Sequence, residues 1–186
     1  MADGNVLMRK KARARRIKMV LMDVDGTLTD GTLAVLPDGE EVKSYHVKDG
    51  LAVLMAQLAG IKVGIITGKM SKGLEKRAER LKITDLYQGA IHKKPVFDQI
   101  LAKHHLEPQE VAYIGDDLGD LEILHCVGLS GAVADAHPVV KKSAHYVCRN
   151  KGGRGAFREF IDFIIGAQKK WGLIKSGFQE IFDRRT

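Results

Sequence analysis

Short apolar runs alternate along most of the chain with stretches whose apolar positions recur at helical spacing. Residues 17–22 read Ile-Lys-Met-Val-Leu-Met and pass at once into acidic and glycine residues, the pattern of a buried strand that stops at a loop. Comparable runs at 61–67, 111–115 and 129–133, with a weaker one at 144–148, predict further strands. Between them the spacing predicts helices over 51–58, 74–81, 96–105 and 118–124, and a longer one over 156–168. Asp49 is placed to cap the first of these, and Pro95 suits the opening turn of the third. Strands separated by helices in this way pair in parallel and are covered on both faces, so the chain reads as α/β, a Rossmann-like parallel sheet flanked by helices.

One segment breaks the alternation. Residues 32–35 and 41–47 are β-like and flank Pro37-Asp38-Gly39, whose residue types favour a tight turn. A β-hairpin is therefore expected just after the first strand, at the sheet edge where α/β folds bind their ligands. Residues 1–16 form a basic N-terminal arm, 17–170 the main domain, and 171–186 a tail that is docked or mobile. A chain of 186 residues is long enough for one well-buried core.

Composition removes some function classes. No apolar run reaches the roughly 18 to 20 residues of a membrane span, and no signal-peptide core follows the basic residues of the arm, so a cytoplasmic protein without a membrane partner is expected. Cys126 and Cys148 have no zinc or disulfide-framework spacing. The net charge of +7 is compatible with any anionic partner. No aromatics interleave the basic arm and no nucleic-acid motif follows it, so a nucleic-acid partner is not expected.

The chemistry gathers at strand ends. Asp23-Val24-Asp25-Gly26-Thr27 places two carboxylates in the loop beyond the first strand. Mg²⁺ prefers oxygen ligands and takes one or two carboxylates together with a substrate phosphate. Asp23 is then placed to attack phosphorus, making an acyl phosphate that splits one difficult hydrolysis into two easier steps. Asp25 can protonate the departing alkoxide and later deprotonate the attacking water. An Asx-turn or a helix cap is a common role for isolated Asp residues, but convergence with three further elements argues against it here. Thr67-Gly68 closes the second strand with a hydroxyl and a backbone N–H suited to a phosphoryl oxygen, although a plain turn would read the same. Lys93 lies at the mouth of a helix, where an ammonium can offset developing negative charge. Gly115-Asp116-Asp117-Leu118-Gly119-Asp120 ends a further strand in acids that repel one another unless a cation is near. Asp116 is the candidate metal ligand, Asp120 a group to orient Lys93 or a metal-bound water, and Asp117 a helix cap.

These elements, in this order and spacing, resemble the haloacid dehalogenase superfamily of phosphatases. The resemblance implies Asp23 as nucleophile, Asp25 as acid/base, Thr67, Gly68 and Lys93 as phosphate binders, and Mg²⁺ held by Asp23, the Asp25 backbone carbonyl and Asp116. The intervals between the motifs leave room for no cap domain. Residues 17–160 further resemble a capless branch, the 3-deoxy-D-manno-octulosonate 8-phosphate phosphatases. The matches are Thr29-Asp30-Gly31, His46-Val47-Lys48-Asp49-Gly50, Val133-Ala134-Asp135-Ala136-His137-Pro138 and Lys151-Gly152-Gly153-Arg154-Gly155-Ala156.

That branch implies a phosphorylated keto sugar acid as substrate, a step in lipopolysaccharide precursor synthesis, and a homotetramer whose hairpins cover neighbouring active sites. Lys48, Lys69 and Arg154 are then candidates to line a positive mouth for the carboxylate. Lys69 stands where the branch commonly has Arg, which bears on substrate identity. A nine-carbon keto-acid 9-phosphate phosphatase shares the same chemistry, and a non-catalytic oligomerisation module of a sugar-activating system is the non-enzymatic alternative.

Overall fold

A computed structural model of the chain describes residues 2–183. The expected position 1 of the arm and positions 184–186 of the tail lie outside the described residues. The strands are β1 (Met19–Met22), β2 (Ala34–Val35), β3 (Glu41–Val42), β4 (Lys62–Ile66), β5 (Asp85–Tyr87), β6 (Val111–Gly115), β7 (Leu129–Ala132) and β8 (Tyr146–Val147). The α-helices are α1 (Ala2–Ala14), α2 (Val47–Leu58), α3 (Lys72–Arg80), α4 (Lys93–His104), α5 (Leu121–Cys126), α6 (Pro138–Ser143), α7 (Ala156–Ala167) and α8 (Trp171–Asp183).

Six strands pair in the order β5-β4-β1-β6-β7-β8, all in parallel. The central strand β1 is apolar throughout because it is buried on both faces, with Met19, Val20, Leu21 and Met22 all at 0% exposure. Helices α1, α2, α7 and α8 pack on one another in one group, and α4, α5 and α6 in another. Running outward from β1, the chain first builds β4 and β5 on one side and then β6, β7 and β8 on the other. The order of winding therefore reverses between β1 and β6, the place at whose carboxyl ends open α/β sheets bind their ligands. The hairpin is present as a separate antiparallel pair of β2 and β3. No helix among the described residues is long and apolar enough to cross a membrane.

Two details differ from the sequence reading. Asp49 does not cap α2, which follows His46 without a side-chain cap. Its buried carboxylate instead accepts the N–H groups of Gly155 (3.1 Å) and Arg158 (2.9 Å), and so caps the distant helix α7. The segment predicted as a helix over 118–124 opens as a 3₁₀ turn, Leu118–Asp120, before α5 begins. The ends of the chain are helical and attached: Gln168 Nε2 donates to the carbonyls of Ala14 (2.9 Å) and Ile17 (2.8 Å), and Ile174 of α8 is buried.

Candidate active site

β1 ends at Met22, and the next residue, Asp23, keeps a β-type bond from its N–H to the carbonyl of Ile114 in β6 (3.1 Å). The loop then tightens, with the N–H groups of Thr27, Leu28 and Thr29 all converging on the carbonyl of Val24. Gly26 is required here on two counts. Its φ of +89° lies in the left-handed region, and a Cβ would strike the carboxylate of Asp116. From the other side the loop after β8 closes on it, where Gly153 N–H donates to Thr27 O (2.9 Å). These contacts fix the position of a carboxylate that would otherwise sit on a free loop.

Lys93 opens α4, and its buried ammonium joins the two ends of the site. It donates to Asp23 Oδ1 (2.6 Å), Asp120 Oδ1 (2.6 Å) and Tyr113 Oη (3.1 Å). The Tyr113 hydroxyl, fully buried in β6, itself donates to Asp120 Oδ1. The other oxygen of Asp120 accepts the N–H groups of Asp116 (2.9 Å) and Asp117 (3.3 Å), and Thr27 Oγ1 donates to Asp116 Oδ1 (2.9 Å). Asp117 caps the 3₁₀ turn by accepting Leu118 N–H (2.8 Å). Thr67, buried at the end of β4, is held by its main chain between Tyr87 and Ala90.

Ligand oxygens of Asp23, Asp116 and Asp120 all lie within 4.8 Å of one another. Burial is the main force on Asp116, and with the nearby charge of Asp23 it pushes this carboxyl up to about 7. Burial likewise pushes Asp23 up to about 6, against the pull of Lys93. Burial disfavours the Lys93 ammonium, but Asp23 and Asp120 outweigh it and raise the group above its usual value. One lysine therefore leaves the cluster with excess negative charge in an all-oxygen donor set, the environment a hard divalent cation such as Mg²⁺ fits.

Asp25 lies apart from this cluster. Both of its oxygens accept from the Lys43 ammonium, at 2.6 and 2.7 Å. The three basic residues expected at a positive mouth do not share one hollow. Lys48 and Arg154 line an open groove of about 660 Å³ with Arg149 and Arg158, and Arg154 also pairs with Asp30 (3.0 Å). Lys69 reaches Glu41 on the hairpin (3.2 Å) and lines a second groove with Asp38 and Glu40.

Lys43, Tyr113 and Thr27 are contacts to which the sequence reading gave no role. Tyr113 carried a faint signal, a hydroxyl inside an otherwise apolar strand that ends in Gly115-Asp116. Thr27 stood inside the quoted loop motif without an assigned partner.

Residues 81–160 match the family of haloacid dehalogenase-like hydrolases. A 3-deoxy-D-manno-octulosonate 8-phosphate phosphatase of Yersinia pestis is 48% identical over 158 residues, covering 85% of this chain and 84% of the relative. Among solved structures, a putative hydrolase of this superfamily from Legionella pneumophila superposes with a TM-score of 0.94 at 38% identity, covering 97% of this chain and all of that one. A 3-deoxy-D-manno-octulosonate 8-phosphate phosphatase from Moraxella catarrhalis, solved with magnesium, phosphate and KDO, gives a TM-score of 0.87 at 33% identity. That match covers 90% of this chain and 97% of the Moraxella one.

Proposed function

From the chain's membership of the 3-deoxy-D-manno-octulosonate 8-phosphate phosphatases, a family of haloacid dehalogenase-like hydrolases, we propose that it hydrolyses that phosphate ester through an aspartyl-phosphate on Asp23. The observation that carries this reading is the Lys93 ammonium bridging Asp23 and Asp120, with Asp116 alongside, at the carboxyl ends of β1 and β6.

In the first half-reaction an oxygen of Asp23 bonds to phosphorus, the bond from phosphorus to the ester oxygen breaks, and Asp25 gives its proton to the departing alkoxide. In the second half-reaction Asp25 takes a proton from water as the water oxygen attacks phosphorus. The bond from phosphorus to Asp23 breaks, and carboxylate and inorganic phosphate are released. Lys93 holds Asp23 Oδ1 at 2.6 Å, which gives the nucleophile one orientation and offsets charge on the phosphoryl group. The Thr67 hydroxyl and the Gly68 N–H donate to phosphoryl oxygens. Asp120, fixed by Tyr113 and two backbone N–H groups, orients Lys93, and Asp117 keeps that turn in place. Mg²⁺, held by Asp23, Asp116 and the Asp25 backbone carbonyl, would supply the charge neutralisation that lets two anions approach.

Within one chain Lys48 and Arg154 line one groove and Lys69 another, so these cations can face one sugar-acid carboxylate only where subunits adjoin. That arrangement belongs to a homotetramer of the cytoplasm, where the hairpin of one subunit covers the site of the next. Leu33, Val35, Leu36 and Val42, apolar and exposed on and around the hairpin, support that assembly. Phosphate release from the eight-carbon ester, from sugar phosphates lacking the carboxylate and from nucleotides, with and without Mg²⁺, tests the assignment. Metal-dependent turnover of the eight-carbon ester, lost in Asp23→Asn, is expected. Equal rates on all substrates would sink the substrate assignment, and turnover by Asp23→Asn would sink the mechanism.

A further inference from the structure

The Lys43 side chain is 2% exposed, yet it comes from a small hairpin that stands outside the main sheet. Burying an ammonium is costly unless it is paired, and both hydrogen bonds described for this one go to Asp25, at 2.6 and 2.7 Å. Asp25 itself is 26% exposed, so without that grip its carboxylate would be free to turn at the mouth of the site. Two-point contact removes the freedom. Two residues before Lys43, Glu41 is tied to Lys69 just beyond β4, so the hairpin is fastened both to the loop of the acid/base group and to the neighbouring strand end.

Given the assignment of Asp25 as acid/base, we propose that Lys43 is a positioning residue for the proton transfer: it aims the Asp25 carboxyl at the leaving oxygen. In this role the hairpin takes part in the chemistry of its own subunit, beyond any contact it makes with another. The grip is compatible with the transfer. When one oxygen of Asp25 carries the proton, the second still accepts from Lys43, and after donation to the alkoxide both oxygens do.

A positioning role of this kind has a signature that simple loss of folding lacks. An alkyl phosphate needs its leaving oxygen protonated, whereas the 4-nitrophenolate of 4-nitrophenyl phosphate departs without help. The parameter kcat/KM reports steps only up to leaving-group departure. In Lys43→Met, kcat/KM for 3-deoxy-D-manno-octulosonate 8-phosphate is expected to fall on the order of 100-fold, and that for 4-nitrophenyl phosphate by less than about 3-fold. Lys43→Arg should recover most of the loss. In an Asp25→Asn background, Lys43→Met should change neither value, because it acts through the missing carboxyl. Size-exclusion mass and thermal midpoint identify any variant that fails to fold, in which case Lys43→Gln carries the same test.

Equal losses on both esters, no loss on either, or a full further loss in the Asp25→Asn background would each overturn the proposal while Asp23→Asn stays inactive. Turnover by Asp23→Asn would instead remove the nucleophile assignment on which it rests.

Discussion

Lys93 is the residue on which most of the site's electrostatics turn, because among the described residues it is the one ammonium in contact with both Asp23 and Asp120. Lys93→Met would leave those two carboxylates buried and uncompensated, a change that typically costs about 3 kcal/mol or more. The metal-free variant should therefore melt well below the native protein at pH 8, and the gap should narrow on acidification as the orphaned carboxyls take up protons. A calorimetric gap that does not depend on pH would contradict this.

Asp116 and Asp23 give a second, related expectation. Their folded values of about 7 and about 6 lie above the ordinary 3.8, so the folded protein binds these protons more tightly than the unfolded chain. That contribution to stability is complete below 3.8 and is lost as pH rises through about 6 and then about 7. Metal-free thermal midpoints should fall across this window. Asp116→Asn should flatten the fall, and Mg²⁺ at the upper end should restore the native midpoint.

That Asp23, Lys93, Asp116 and Asp120 would meet could be expected, because strand ends and acid clusters announce themselves in one dimension. The other partners could not. Which group meets Tyr113 or Lys43 depends on the register of β6 and on where the hairpin folds back.

At the scale of elements, the strands could be read because each is a short apolar run that stops sharply, and β1 runs from Met19 to Met22 within the expected 17–22. Caps between distant elements could not. Asp49 precedes an apolar stretch and so looks like a local cap, but the fold brings α7 to it, more than a hundred residues along the chain. Burial raises its carboxyl while the backbone bonds to Arg158 and Gly155 oppose that rise, as expected for a carboxylate closing a helix N-terminus inside the protein. Asp49→Ala removes the acceptor for the buried Gly155 N–H and the part-buried Arg158 N–H and should destabilise the fold by roughly 2 kcal/mol, with Asp49→Asn costing less. Urea unfolding measures both. A neutral Asp49→Ala would mean that water replaces the cap. The helix α8 was not predicted: Gly172 and Gly177 are poor helix formers within it, and Gly177 serves a close approach to Leu58 of α2 instead.

For the whole molecule the hairpin poses the remaining physical problem. A two-stranded ribbon is marginal alone, and this one has only two residues per strand in regular pairing, with Val35 64% and Val42 46% exposed. The ion pairs from Glu41 and Lys43 anchor its polar side, but among the described residues its apolar side chains stay largely exposed. In the proposed tetramer a neighbouring subunit covers them, and the hairpin in turn closes an active site that has no cap domain. Charge placed at the apolar positions should therefore separate assembly from folding. Val35→Glu with Val42→Glu should keep the thermal midpoint of the main sheet, lower the sedimentation mass to that of one chain, and raise KM for the eight-carbon ester on the order of 10-fold or more, as part of the sugar-acid contact is lost. A variant that remains tetrameric, or a monomer with native KM, would show that the hairpin neither joins the subunits nor completes the site, and the exposed valines would then need a different partner.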